Sequence, residues 1–72
     1  MNYKEIWNKT KKDLKKILPE HGYEAWIETL SPVGATKDIF ILEAPNQFAH
    51  DWIINNYYDL IVSSLREHDP KV

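Results

Sequence analysis

A stripe of Ile6, Thr10, Leu14 and Ile17, flanked by Tyr3, Trp7 and Leu18, recurs at three- and four-residue intervals in the first part of the chain. That is the period of an amphipathic helix. Asn2 followed by Glu5 is a capping-box pattern for its start, and Pro19 is its stop and a suitable opening for the next helix. The spacing of Tyr23, Trp26, Ile27 and Leu30 predicts a second, short helix over about Glu20 to Thr29, weakened near its start by Gly22. Tyr23, Trp26 and Ile27 are assigned to the core. Ser31-Pro32 breaks this pattern, and the rhythm then becomes that of strands: Val33-Gly34-Ala35, a polar turn at Thr36-Lys37-Asp38, and IFILEA over residues 39 to 44. Two short strands joined in this way predict a hairpin. Pro45 ends the second strand, Asn46 is a favoured N-cap, and a last helix is predicted from about Gln47 to Glu67, with Asp69-Pro70 as its stop. Helix, helix, strand, strand, helix is an α+β order in which the helices cover one face of a small sheet.

The faces of the last helix separate its aromatics. At about 100° per residue, Ala49, Ile53, Tyr57, Leu60, Ile61 and Ser64 share one arc, with Ile54, Tyr58 and Leu65 at its margin. Trp52 falls on the edge of that arc, whereas Phe48 falls on the polar side near Asn55, Asp59 and Arg66. An apolar ring in the first turn of a helix, on its polar face, is a candidate contact anchor. Trp7 lies at one margin of the first helix's stripe, facing Lys11 and Leu18.

At 72 residues the chain is read as a single domain spanning 1–72, without repeat or linker. Hydrophobic residues make up 43% and charged ones 28%, a balance that folds rather than remaining disordered. Cysteine is absent, which removes disulfides and thiolate metal sites and fits a reducing compartment. The apolar runs are far short of the roughly 20 residues that span a bilayer, so no membrane partner is expected and the expected location is cytoplasmic. Net charge is −2, which gives the whole chain no general affinity for phosphate. Six of the nine basic residues (Lys4, Lys9, Lys11, Lys12, Lys15, Lys16) nevertheless fall in the first helix, making a local basic face.

Catalytic chemistry finds little to stand on. His21, His50 and His68 are scattered, and Ser31, Ser63 and Ser64 lie in no nucleophile-elbow context. His50 and Asp51 are adjacent on a helix, so they are expected to point apart. Glu67, His68 and Asp69 have metal-ligand types but sit at a chain end, and no metal site is assigned. Gly22 and Gly34 belong to no phosphate-binding loop, so no nucleotide or other cofactor is expected. The residues favour a non-catalytic protein-interaction module. The alternative is a weak single-stranded nucleic-acid-binding α+β module using Lys11, Lys12 and Lys15, although no GXXG loop or aromatic RNP sheet accompanies them.

EIWNK in the first helix, YEAWIETLSP in the second, then LEAPNQFAHDWI and YYDLI resemble the N-terminal domain of the bacterial replication initiator DnaA, from about Ile6 to Leu65. The resemblance implies a KH-like α-α-β-β-α-β fold. It also implies a module that self-associates, helps recruit the replicative helicase and docks regulators of initiation. It ties Trp7 to self-association and Phe48, beside Asn46, to helicase and regulator contact. At the start of the second helix, Gly22 stands where the family member best known for helicase contact has a glutamate; Glu20, His21 and Glu24 are the polar residues around it. The chain stops at Lys71-Val72, where the third strand would begin, so that strand is expected to be truncated or absent, leaving a sheet edge open.

Overall fold

The computed structural model describes residues 2–36 and 38–69. Helix α1 (Tyr3–Ile17) starts where predicted: Asn2 is extended, and its side-chain oxygen accepts the Glu5 backbone N–H at 2.9 Å. That bond satisfies one of the donors left open in a first helical turn. Ile6, Trp7, Thr10 and Leu14 are buried along its inner face. Thr10 is tolerated there because its hydroxyl donates to the Ile6 carbonyl at 2.8 Å. Leu18 turns extended immediately before Pro19, as the proline ring requires of its predecessor.

The second helical segment differs from a plain α-helix. A single turn, α2 (Glu20–Gly22), passes directly into a π-helical turn (Tyr23–Ile27), in which the Glu28 N–H reaches back to the Tyr23 carbonyl at 2.9 Å. Tyr23 and Ile27 remain buried, but Trp26, predicted as core, is only half-buried. The extra residue in the turn rotates it off the core side.

Strands β1 (Ser31–Ala35) and β2 (Phe40–Glu43) pair antiparallel, so the hairpin forms. Ser31-Pro32, expected to interrupt structure, begins β1 instead. Proline is accommodated because β1 is an edge strand and the register slips between Pro32 and Gly34, leaving Val33 as a bulge. The turn closes through the Thr36 N–H on the Ile39 carbonyl at 2.8 Å and the Ile39 N–H on the Thr36 hydroxyl at 3.2 Å. Phe40 and Leu42 face inward onto the core.

The predicted single last helix is two: α3 (Gln47–Asn56) and α4 (Tyr58–His68). Tyr57 breaks it, with φ −125 and ψ −2. The Asn56 side chain donates to the Trp52 carbonyl at 2.8 Å beside the break. Bonds from Tyr57 N to Ile53 O at 2.8 Å and from Ile61 N to Tyr57 O at 2.9 Å survive on either side. Its effect is a change of face, with Ile61, Ser64 and Leu65 buried in α4 while Ile54 and Tyr58 turn outward.

Gly22 lies against the break. A Cβ at this position would stand 3.1 Å from the Tyr57 hydroxyl, tighter than ordinary contact. Gly22→Ala therefore gains helix propensity of about 0.5–1 kcal/mol and loses part of it to that contact. The expected outcome in urea unfolding is a larger stabilisation in a Tyr57→Phe background, which lacks the hydroxyl, than in the parent. Equal increments in both backgrounds would refute the contact.

The core gathers Ile6, Trp7, Leu14, Tyr23, Ile27, Leu30, Ala49, Ile53, Ile61 and Leu65. Helix α1 packs on α4, β1 and the π turn, and α3 packs on α4 and the π turn. The architecture is α+β, with helices against one face of a two-stranded sheet among the described residues. The expected third strand falls on Lys71-Val72, outside the described residues.

Candidate functional site

Helix α3 begins at Asn46, which is extended; its side-chain oxygen accepts the Ala49 N–H at 2.8 Å and its carbonyl accepts the His50 N–H at 3.0 Å. Asn46 thereby fixes the first turn, and the oxygen of its carboxamide is committed to that cap. Phe48 projects from this turn with 70% of its surface exposed. One helical turn later, Trp52 is 42% exposed, as its place on the edge of the arc predicts.

The two rings are not separated as the helical wheel suggests. Both rest on Trp26 of the π turn. Trp26 and Trp52 stack with centroids 5.2 Å apart and planes 24° apart, while Phe48 meets Trp26 at 5.9 Å and 55°. Trp26 in turn packs against the core. Phe48 and Trp52 are thus the exposed members of a three-ring patch with a fixed base. The Phe48–Trp52 spacing of four was the signal in the sequence for their neighbourhood, and the assumption of a regular second helix hid Trp26.

A polar network flanks the patch. The Gln47 amide donates to the Asp51 carboxylate at 2.8 Å, and His50 Nδ1 lies 3.1 Å from the same oxygen and 3.4 Å from the Gln47 nitrogen. His50 first, and then Gln47, hold the Asp51 carboxyl below its usual range. The expectation that His50 and Asp51 point apart is corrected: they meet. Both are well exposed, and no hydroxyl nucleophile hydrogen-bonds to them among the described residues. The pair therefore lacks the third member that acid–base chemistry needs.

Glu20 and His21 are exposed at α2, with no hydrogen bond or ring contact to the aromatic patch among the described residues. Glu20 instead lines a shallow groove with Glu24, Glu28, Tyr23 and Lys15. The Tyr23 hydroxyl is pushed up to about 12, chiefly by burial and then by its hydrogen bond to the Glu28 carboxylate and that group's charge. Lys15 Nζ stands 6.0 Å from the centre of the Tyr23 ring.

Trp7 is 1% exposed, deep in the core, and its Nε1 has no hydrogen-bond partner among the described residues. Lys12 and Lys15 are exposed and Lys11 is half-buried; among the described residues none of the three makes a ring contact with Trp26, Phe48 or Trp52, and Lys15 lies by Tyr23 instead. At the other end of α1, Asp13 Oδ2 lies 2.5 Å from His68 Nε2 and ties α1 to the end of α4. Glu67 completes a cluster whose donor atoms lie within 4.8 Å of one another. Asp13, distant in sequence, takes the position that sequence proximity suggested for Asp69. A second groove, about 410 Å³, runs beneath β2 between Phe40, Leu42, Ile53, Ile54, Tyr58 and Ile61.

These features define a class: a small α+β domain whose prominent surface is an aromatic patch, with no convergent catalytic set among the described residues. No helix of the described residues is long and apolar enough to cross a membrane. Over residues 4–67 the chain matches the family described as DnaA N-terminal domain. It belongs to that family, which places it in the initiation of DNA replication.

Proposed function

We propose that this domain is the docking and self-association module through which a bacterial replication initiator, acting in the cytoplasm, engages the replicative helicase and regulators of initiation. Phe48 is its main anchor. The observation that carries this reading is a phenyl ring 70% exposed yet braced by Trp26, itself stacked on Trp52. A braced ring loses little conformational freedom when a partner covers it, so more of the burial energy appears as affinity. Asn46 acts by setting the first turn of α3, and Glu20 and His21 supply polar contacts from α2. Trp7 serves self-association by holding α1 in shape from within, since its own ring is covered.

Titration of purified helicase against Phe48→Ala tests the anchor. The expected result is at least tenfold weaker binding, about 1.4 kcal/mol, with thermal stability nearly unchanged because the ring is outside the core. Undiminished binding by the folded variant would remove Phe48 from the interface. The single-strand reading through Lys11, Lys12 and Lys15 is less well supported: stacking rings and basic groups work together in such sites, whereas here the rings lie on α3 and the π turn and the lysines on α1.

A further inference from the structure

We propose that copies of this chain associate head to tail, the outward lysines of α1 in one copy (Lys9, Lys12, Lys16) lying along the Glu20, Glu24 and Glu28 groove of the next. This rests on the self-association reading above and adds to it the surfaces and the symmetry.

Lys9, Lys12 and Lys16 share one side of α1 by helical spacing, and all three are exposed. Glu20, Glu24 and Glu28 are likewise exposed and line a single groove. None of these six side chains enters an ion pair within the chain among the described residues. Each stripe therefore keeps its charged groups available to a partner, with like charges one helical turn apart. The groove already receives a cation at its rim, where Lys15 stands over the Tyr23 ring.

One chain thus presents both complementary halves. A basic peptide or a nucleic acid strand would satisfy one stripe and leave the other, whereas a second copy satisfies both in succession. Because the two surfaces differ, the contact is heterologous and propagates unless it closes into a ring. Exposed charge pairs are individually weak and screened by salt, so the contact gains strength where several initiators are held together.

Sedimentation velocity on the 72-residue chain tests this at about 1 mM protein, in roughly 20 mM and then about 500 mM salt. Mass should rise with concentration past the dimer at low salt and return to monomer at high salt. Neutralising one stripe (Lys9→Gln, Lys12→Gln, Lys16→Gln) or the other (Glu20→Gln, Glu24→Gln, leaving Glu28 on the Tyr23 hydroxyl) should give monomers with unchanged melting temperature. An equimolar mixture of the two variants should form dimers and stop there, because each retains one half of the contact. Self-association that persists in both variants would overturn the assigned surfaces while leaving self-association itself standing. Absence of any concentration dependence in the parent would overturn both. A mixture that stays monomeric would overturn the head-to-tail geometry, and an oligomer dissolved by an added oligothymidylate would assign the lysine stripe to nucleic acid.

Discussion

Trp7→Ala is expected to cost about 3–5 kcal/mol of folding stability, the range for emptying a large aromatic site in a packed core. For a domain of this size that is a large part of a total of roughly 4–11 kcal/mol. Trp7 is the largest of the fully buried side chains, and it stands among Thr10, Leu14 and Ile27, which are also fully buried. Urea unfolding followed by far-ultraviolet circular dichroism measures the loss. A cost below about 1 kcal/mol would show that the ring is not in the core. Trp7→Phe should cost much less, because it keeps aromatic volume and removes a buried N–H that has no partner among the described residues. The comparison bears on function: reduced self-association in Trp7→Ala reports lost folding, whereas reduced self-association in a still-folded Trp7→Phe would point to the shape of α1.

The second large effect is alkaline. Tyr23 ionises at 10.0 in the unfolded chain and at about 12 in the fold, so the folded state holds its proton after the unfolded state has lost it. The resulting stabilisation is fully present below pH 10 and falls away as pH rises through about 12. Tyr23→Phe cannot ionise and should show a correspondingly flatter stability profile over that window. Subtracting the two profiles isolates this hydroxyl from the other groups that titrate there. Parallel profiles would mean that burial and Glu28 do not hold the proton.

Much of the fold was legible because its signals are local. The cap at Asn2, the α1 stripe, the hairpin and the cap at Asn46 each depend on a few neighbouring residues, and each formed. The π turn and the break at Tyr57 were not legible. The apolar rhythm runs through both without a change of period, and the neighbour that the break at Tyr57 meets, Gly22, is distant in sequence. The candidate site shows the same division. Phe48 was identifiable from helix geometry alone, but its support required knowing that a π turn rolls Trp26 outward to meet it. Asp13 and His68, 55 positions apart, meet only once α1 and α4 are packed.

The stacking of Trp26 on Trp52 also divides the chain's fluorescence between two places. Trp7 emits from the dry interior, while the other two indoles, 5.2 Å apart, share the outer surface beside Phe48. Light from the first follows unfolding, and light from the pair follows whatever comes to rest on the patch. An iodide quencher, confined to water, therefore distinguishes a partner arriving from a core coming apart, without any label added to the protein.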